Sequence, residues 1–442
     1  TVAQLLNLTK EQVMPPVQDA WLGADSAASK TIAFLSEFLK ISFWLAILLG
    51  ILRILFLGVL ALLNYFKDKK QGDPVIGTFT PKVSIIVPAY NEEVNCVATV
   101  KSLLQQDYPH YEIIFIDDGS KDKTFERITA AFGNNEQVKA YRKENGGKAS
   151  ALNYGIERAG SDFLLCIDAD TQLKKDALSK MMPYFKDDRV GAVAGNVKVG
   201  NTQKILTQWQ SIEYITAQNF DRRAFDYING ITVVPGAIGA FSKKAMQDTG
   251  GFATDSLAED CDLTIRILRQ GYIIRNCTAA IAVTEAPESI SQLLKQRFRW
   301  CYGVMQSFWK NRDACFNSRY KGLGMIALPN ILLFQIVMPL IAPLADLLFF
   351  IGLIYNRNDI DSMQQILIYY FLFLFIDVFI SIVAFRFEKE NYWRLLWLLP
   401  QRFVYRQLMY IVWFRSVRRA IKGEGQGWGN LKRTGNVVLK ET

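Results

Sequence analysis

The sequence has too few histidines for two common kinds of enzyme site. Among 442 residues there is a single histidine, His110, in the polar turn Asp107-Tyr-Pro-His110 before a predicted strand. We interpret it as structural. A Ser-His-Asp triad or a multi-histidine metal site would have to rest on this one residue, which argues against both.

Cysteine pairs and nucleic-acid motifs are also missing. The sequence contains no RNA- or DNA-binding motif, no internal repeat, and no secretory signal with a cleavage site. None of the cysteines forms a Cys-x-x-Cys pair, which argues against a disulfide framework and a zinc site. The six cysteines are Cys96, Cys166, Cys261, Cys277, Cys301 and Cys315.

Hydrophobic residues make up half of the sequence and are concentrated near 32–66 and from 323 to 417. About 20 apolar residues span a bilayer. The net charge is +9, and basic residues follow both regions, which favours a lipid bilayer over nucleic acid as the partner. These residues are Lys67, Lys69, Lys70, Arg415, Arg418, Arg419 and Lys422.

The positive-inside rule predicts an extracytoplasmic N-terminus followed by a cytoplasmic domain. The first span either ends near Arg53 or buries that charge against a partner. The chain begins at Thr1 rather than Met, so we expect it to be part of a longer protein or a processed form. The predicted regions are an extracytoplasmic linker (1–31), a transmembrane helix (32–66), a cytoplasmic α/β domain (80–288), interfacial helices (289–322), transmembrane or re-entrant helices (323–417) and a basic cytoplasmic tail (418–442).

Strands alternate with helices in the cytoplasmic domain, which predicts βαβ units and a mostly parallel sheet. In such sheets the ligand binds beyond the carboxyl ends of the strands. The predicted strands are Val83–Val87, Tyr111–Ile116, Val138–Tyr141 and Phe163–Ile167, and the predicted helices are Glu93–Gln106, Lys123–Phe132 and Lys148–Arg158. The polar residues just beyond the strands are Tyr90, Asn91, Glu92, Asp117, Asp118, Asp168 and Asp170.

Two acidic motifs follow predicted strands. Asp168 and Asp170, one residue apart, can bind a hard cation such as Mg²⁺ or Mn²⁺ and leave positions for diphosphate oxygens. The alternative is a solvated surface pair, and the strand context favours the metal. Asp117 and Asp118 can accept hydrogen bonds from a base or ribose, or form a simple turn with Gly119. The residues alone leave both interpretations open.

Two further motifs lie at predicted helix starts. In Asn145-Gly-Gly-Lys148, backbone amides, a helix N-terminus and a lysine favour an anion, although an ordinary glycine turn has the same pattern. Glu259-Asp260 can supply a general base. Acidic residues at a helix start also pair with the helix dipole, and spacing alone favours that interpretation.

The segment Gln296-Arg-Phe-Arg-Trp300 lies in a predicted amphipathic helix. Gln296 and Arg299 are three residues apart and share one helix face. A guanidinium with an amide suits a diphosphate, and Trp300 offers a flat face for a sugar ring. The alternative is a belt of Arg and Trp at a membrane interface.

Taken together, these motifs resemble, in order and spacing, the processive family-2 glycosyltransferases, a family that includes poly-N-acetylglucosamine, chitin-oligosaccharide, hyaluronan and cellulose synthases. The resemblance covers roughly residues 80–310. It rests on six segments: Val83-Ser-Ile-Ile-Val-Pro-Ala-Tyr-Asn-Glu92, Asp117-Asp118-Gly-Ser, Asn145-Gly-Gly-Lys148, Asp168-Ala-Asp170, Glu259-Asp260 and Gln296-Arg-Phe-Arg-Trp300.

The resemblance implies a nucleotide-sugar-binding α/β domain of the GT-A type, flanked by transmembrane and interfacial helices. It implies an inverting enzyme of the bacterial inner membrane that uses Mg²⁺ or Mn²⁺ and adds a UDP-sugar to a growing β-linked polysaccharide. UDP-N-acetylglucosamine is the expected donor, while glucose and glucuronate donors stay open. Extracellular domains on the same full-length chain, or an accessory subunit, are expected partners.

The resemblance also implies roles for individual residues. Asp260 is the base, with Glu259 beside it, and Asp168 and Asp170 hold the metal. One departure is Ala258, where many relatives have Thr, and we expect little effect. The residues implied to hold the nucleotide, the diphosphate or the acceptor are Tyr90, Glu92, Asp117, Asp118, Lys148, Asp168, Gly236, Gln296, Arg299 and Trp300.

Two other functions stay open. One is a non-processive transferase that adds a single sugar to a lipid, which the Gln-Arg-x-Arg-Trp motif argues against. The other is a transporter or receptor with a nucleotide-sensing domain, which fits poorly with few spans and carboxylates that converge on one strand edge. The size of the product distinguishes a single-sugar transferase from a polymerising enzyme. Release of UDP distinguishes a transferase from a transporter or receptor.

Overall fold

The computed structural model describes residues 47–70, 79–340 and 360–422, together with single positions that include Gly435 and Val437. The predicted linker 1–31, the start of the predicted span 32–66 and most of the predicted tail 418–442 lie outside the described residues. The chain divides into two compact units. One comprises Ile54–Ile336 with Asp377–Thr442, and the other Thr1–Arg53 with Val337–Ile376.

An eight-stranded sheet forms the centre of the first unit, in the order β3-β2-β1-β4-β7-β6-β8-β5. Strands β1 to β4 are parallel, β7 runs antiparallel to both of its neighbours, and β6 pairs in parallel with β8. The predicted mostly parallel sheet is therefore confirmed. The strands are β1 Val83–Ala89, β2 Tyr111–Asp117, β3 Val138–Arg142, β4 Phe163–Cys166, β5 Thr171–Leu173, β6 Val190–Val199, β7 Gly239–Ser242 and β8 Ile273–Thr284.

Apolar clusters cover both faces of the sheet. Successive side chains of a strand point to opposite faces, so Ile86 packs in the cluster that contains Leu152, while Ile85 packs in the one that contains Leu103. Because both faces are buried, β1 and β2 contain the apolar runs Ile85-Ile-Val87 and Ile113-Ile-Phe-Ile116 instead of an alternating pattern. This is why their sequences predict them well.

Helices connect the strands and extend beyond the sheet. A π-helical turn, Tyr214–Asn219, joins α6 to α7. The helices are α1 Ile47–Lys70, α2 Cys96–Leu103, α3 Thr124–Phe132, α4 Lys148–Arg158, α5 Ala177–Met181, α6 Ile205–Glu213, α7 Phe220–Tyr227, α8 Lys243–Thr249, α9 Glu259–Arg269, α10 Ile290–Lys310, α11 Leu323–Leu340, α12 Ile360–Glu388 and α13 Leu398–Lys422.

Helix α4 has the predicted bounds, whereas α2 is shorter than the predicted Glu93–Gln106. The backbone before α2 is bound to the loop after β2. Asn91 has φ +55°, and its N–H donates to Ser120 Oγ at 2.9 Å. The N–H of Glu92 donates to Thr124 Oγ1 at 2.9 Å. These contacts hold the segment before α2 against the segment after β2, and a turn over residues 93–95 leads into the helix.

Two helices in the described residues are long and apolar enough to cross a membrane, α1 and α11. Helix α1 continues through Arg53 and ends at Lys70, four residues past the predicted bound of 66. Helix α13 carries Pro400 in its first turn, where proline is tolerated because the turn lacks N–H partners. Within the first unit, Arg402 of α13 donates to both carboxylate oxygens of Asp377 in α12, at 2.7 and 2.6 Å.

Candidate active site

The polar segments after β1, β2 and β4 lie side by side at one edge of the sheet. In the strand register Ala89 pairs with Asp117, and Ile86 pairs with Cys166. The carboxyl ends of three adjacent parallel strands therefore meet, as the topology requires. His110 precedes β2 and so lies at the opposite edge. All six cysteines are free thiols.

Lys148 connects three elements at this edge. It is the first residue of α4, and its Nζ lies 2.6 Å from Asp168 Oδ1 beyond β4 and 3.1 Å from Glu259 Oε1 at the start of α9. Only 13% of the Lys148 side chain is exposed. Gly236 lies against the same group, since a Cβ there would be 2.5 Å from Lys148 Nζ. A side chain at position 236 would displace the lysine.

The charge of Lys148 is maintained by its neighbours. Burial lowers the pKa of Lys148, but the carboxylates of Asp168, Glu259 and Asp260 act in the opposite direction and outweigh it, so the pKa lies above its ordinary value. The lysine is therefore a permanent cation within a group of three carboxylates. Such a cation can offset the charge of a bound diphosphate.

Asp260 follows Glu259 in the first turn of α9 and is half-buried. Burial raises the pKa of Asp260 to about 6, and repulsion from Glu259 adds to the rise. Lys148 and the N–H of Cys261, which donates to Asp260 Oδ1 at 2.8 Å, oppose it. A carboxylate with a pKa near 6 is an effective general base at neutral pH.

Asp168 and Asp170 differ in their surroundings. The side chain of Asp168 is 33% exposed, whereas Asp170 is buried. Asp170 Oδ1 accepts hydrogen bonds from the hydroxyls of Thr171 at 3.1 Å and Thr284 at 3.5 Å. Among the described residues, no group of three or more His, Cys, Asp or Glu side chains is arranged to hold a metal. This donor set fits Mg²⁺ or Mn²⁺, which take one or two carboxylates and complete their shell with phosphate and water.

Asp118 lies at the N-terminus of α4. Its carboxylate accepts the N–H groups of Gly146 at 3.1 Å and Gly147 at 2.7 Å, and it pairs with Lys143 Nζ at 2.7 Å. The sequence predicted that the amides before α4 approach an anion. The anion that they contact in the structure is this carboxylate.

Asp117 is fully buried beside Asp118. Its Oδ2 lies 3.1 Å from Arg142 Nε, and its Oδ1 accepts the N–H of Ser120 at 3.3 Å. Burial raises the pKa of Asp117 above its ordinary value, although the bonds from Ser120 and the charge of Arg142 oppose this. Tyr90 and Glu92 lie in the turn after β1. The hydrogen bonds from the N–H groups of Asn91 and Glu92 hold this turn against the segment after β2.

Helix α10, which carries Gln296 to Trp300, packs directly against the segment before Asp260. A Cβ on Gly303 would lie 2.6 Å from both the N and the Cβ of Ala258. The Gln306 side chain accepts the N–H of Leu257 at 3.1 Å, and Ser307 is buried there. The helix therefore lies beside the start of α9, where Glu259 and Asp260 are located.

Trp300 lies next to the π-helical turn. Its ring centroid is 6.1 Å from that of Tyr214. Burial raises the pKa of Tyr214 to about 12, and the charge of Asp170 is near enough to add to that rise. Trp300 also packs against the apolar cluster that contains Ala169, the residue between Asp168 and Asp170.

Gln296 is buried and accepts a hydrogen bond from Arg297 at 3.0 Å. Arg299 is half-buried on the same helix. The structure thus brings the acidic strand ends, Lys148, Gly236, Glu259 and Asp260 into one region, with the Gln296–Trp300 segment alongside.

Three residues near this region were missed at the sequence level. Lys143 pairs with Asp118, and Arg297 forms an ion pair with Glu213. Lys143 shortly precedes the Gly-Gly turn in the sequence, and that position could have indicated it as a partner of Asp118. Nothing in the sequence relates Arg297 to Glu213, which is 84 positions away.

Comparisons with known proteins agree with this geometry. A family model described as "Glycosyltransferase like family 2" matches residues 81–303. The poly-beta-1,6-N-acetyl-D-glucosamine synthase of Staphylococcus epidermidis is 30% identical over 372 residues, which are 80% of this chain and 88% of the relative. The enzyme of the same name from Staphylococcus aureus strain COL is 35% identical over 222 residues, which are 50% of this chain. The matched region spans about half, 54%, of that relative's length.

A solved structure shows the same fold. It is a mannosyltransferase from Pyrobaculum calidifontis in complex with GDP-Man and Mn²⁺, similar with a TM-score of 0.57 at 18% identity. The match covers 86% of this chain and 100% of the other. At this identity the likeness concerns the fold alone, and that fold is of the GT-A type. From the family match, the S. epidermidis relative and the sheet topology together, the chain belongs to glycosyltransferase family 2.

Proposed function

We propose that this chain is an inverting, processive β-glycosyltransferase that polymerises UDP-N-acetylglucosamine into a β-linked polysaccharide. The observation that carries the proposal is the convergence of Lys148, Asp168 and Glu259 within hydrogen-bond distance, with Asp260 in the same turn as Glu259. A fixed cation and a base of raised pKa are what transfer from a sugar diphosphate requires. The names of the two staphylococcal relatives support the choice of sugar and product.

The reaction is a single in-line displacement. Asp260 takes the proton from the acceptor hydroxyl while the hydroxyl oxygen bonds to the anomeric carbon of the donor sugar. The bond between that carbon and the diphosphate oxygen breaks from the opposite face, and its electron pair leaves with UDP. Lys148 and Arg299 offset the charge of the departing diphosphate, and Trp300 stacks on the acceptor ring.

Asp168 and Asp170 would hold Mg²⁺ or Mn²⁺. When bound, the ion supplies charge neutralisation for the diphosphate. The Pyrobaculum mannosyltransferase, solved with Mn²⁺, supports a divalent metal in this proposal. Asp168 also contacts Lys148 at 2.6 Å, so this carboxylate would serve both the lysine and a bound ion, and both would offset the charge of the diphosphate.

The uridine side is assigned to Tyr90 and Asp118, with Asp117 in support, and Glu92 is assigned to substrate binding. The carboxylate of Asp118 already accepts three hydrogen bonds from the 143–147 loop, so nucleotide binding must share or exchange those contacts. Binding of UDP is therefore expected to rearrange this loop. Gln296 completes the diphosphate contacts from α10.

We also propose that the chain is embedded in the bacterial inner membrane with its sheet domain in the cytoplasm. Large exposed apolar patches need a covering environment, and α1 exposes Leu48, Leu52, Leu55, Phe56, Val59, Leu62, Leu63 and Phe66. Helices α12 and α13 also expose apolar residues, including Phe375, Phe379, Val404 and Phe414. In this proposal the predicted regions keep their places relative to the membrane, although α1 and α13 extend past the predicted bounds of 66 and 417 to Lys70 and Lys422. Helix α10 is the interfacial helix, and the polymer is translocated along the helices that follow.

The test is to incubate the full-length chain in detergent with UDP-sugars one at a time, size the product and digest it with linkage-specific hydrolases. The proposal expects UDP release and a polymer ladder with UDP-N-acetylglucosamine. A single sugar on a lipid would show the non-processive alternative. No UDP release with any UDP-sugar would refute the transferase assignment.

A further inference from the structure

A buried charged cluster lies behind Trp300. Arg297 is 4% exposed, and its Nη2 lies 2.6 Å from Glu213 Oε2 at the end of α6. The hydroxyl of Tyr405 in α13 accepts from Arg297 at 3.2 and 3.3 Å and donates to the same Glu213 oxygen at 2.6 Å. Three separate helices therefore meet at one guanidinium.

The same guanidinium covers the ring of Trp300. The Arg297 Cζ is 4.1 Å from the Trp300 ring centroid, which is within cation–π distance. The ring of Tyr214 also lies beside that of Trp300, with the centroids 6.1 Å apart. Arg297 has a planar fork that is fixed by Glu213, Tyr405 and Gln296 together, so the ring that it stacks on is held in one orientation.

The cluster is tied to α13 by further contacts along α6. Gln401 Nε2 donates to the carbonyl of Trp209 at 2.8 Å, and Trp209 Nε1 donates to the carbonyl of Trp397 at 3.1 Å. The rings of Trp209 and Tyr405 pack edge to face with centroids 6.3 Å apart. A shift of α13 therefore moves Tyr405 and Glu213 together, and Arg297 with them.

We infer that Arg297, held by Glu213 and Tyr405, is a positioning residue that orients Trp300 for the acceptor sugar and couples the acceptor site to α13. This inference rests on the proposed function, in which Trp300 stacks on the acceptor. Lys148 and Arg299 offset the charge of the diphosphate, and the bond from Arg297 to the diphosphate-binding Gln296 is kept when Tyr405 or Glu213 is changed. Loss of the cluster should therefore weaken retention of the growing chain and leave donor binding intact.

The main variant is Tyr405→Phe, which removes the hydroxyl and keeps the ring. We expect the KM for UDP-N-acetylglucosamine to stay within about twofold, while median product length falls about three- to tenfold, since the hydroxyl bonds a charged group. Glu213→Gln reaches the same guanidinium from another helix and should act in the same direction. Tyr392→Phe is the matched control, because Tyr392 is exposed in the turn before α13, and it should leave product length unchanged.

A double-mutant cycle separates positioning from general stability. If Arg297 acts through Trp300, Tyr405→Phe should shorten the product of a Trp300→Phe enzyme little further, because contacting residues are not additive. A purely structural role predicts equal shortening in both backgrounds together with a lower melting temperature, and that result would overturn the inference. Wild-type product length in both Tyr405→Phe and Glu213→Gln would overturn it too. Absence of polymer from the wild-type chain would instead refute the proposed function.

Discussion

At Asp260, burial and the neighbouring Glu259 raise the pKa to about 6, against an ordinary value of 3.8. Between these two pH values the folded protein therefore keeps a proton on Asp260 that the unfolded chain has released. The resulting stabilisation is fully present below about pH 4 and is lost as the pH rises through about 6. At neutral pH the ionised group is a usable base, and its burial opposes folding.

Asp260→Asn should therefore stabilise the fold in a pH-dependent way. Because asparagine does not ionise, we expect the free energy of unfolding to exceed that of the wild type by roughly 2–3 kcal/mol near pH 8 and by little near pH 4. Thermal unfolding in detergent at both pH values measures this. An equal difference at the two pH values would contradict the raised pKa.

Two neighbours of Asp260 should move the acidic limb of the pH–rate profile in opposite directions. Lys148 lowers the pKa of Asp260 and Glu259 raises it. We expect Lys148→Met to shift the limb to higher pH and Glu259→Gln to shift it to lower pH, each by about one unit. The measurement is kcat/KM against pH on the residual activity. Shifts of the same sign would exclude Asp260 as the titrating base.

The sequence predicted most of the residues in the site but not all of their partners. Asp168, Asp170 and Lys148 follow from strand ends and a helix start, which are local features. The contact of Lys143 with Asp118 depends on two loops that approach each other only in the folded sheet. The sequence also offered Arg299 as the notable arginine, whereas Arg297 forms the buried ion pair with Glu213.

At the level of elements, the approach of α10 to the start of α9 depends on Gly303. A methyl group there would lie 2.6 Å from the backbone N of Ala258, so the helix must move away. We expect Gly303→Ala to destabilise the fold by about 1–3 kcal/mol and to lower kcat more than the KM for the donor. Gly303→Val should exaggerate both effects. Steady-state kinetics with thermal unfolding checks the series, and wild-type kcat in Gly303→Val would contradict this packing.

Element boundaries were predictable where the pattern was local. Helix α4 begins after Gly147, which has φ +85°, and its predicted bounds are those of the structure. Helix α2 was predicted too long at both ends: it begins at Cys96, after a turn that is bonded to the segment after β2, and ends at Leu103. Strand β6 was not predicted, because its Gly191, Ala192, Ala194 and Gly195 lack the bulky β-branched pattern of β1.

At the scale of the whole molecule, the proposed membrane region contains a charge pair. Asp377 of α12 and Arg402 of α13 form a two-bond pair, and charges in an apolar region must be paired. We expect Asp377→Asn to lower the free energy of unfolding by about 1–3 kcal/mol. Exchange of the two residues, Asp377→Arg with Arg402→Asp, should recover part of the loss. Unfolding in detergent measures both variants, and no change in Asp377→Asn would argue against the pair.

The central claim is that one pocket, built from Lys148, Asp168 and Asp260, transfers a sugar from UDP to a growing chain. The most direct test compares the wild type with Asp260→Asn in two assays: binding of UDP-N-acetylglucosamine and synthesis of polymer from it. The account predicts similar donor affinity in both proteins and polymer only from the wild type. Polymer made at the wild-type rate by Asp260→Asn would contradict the account.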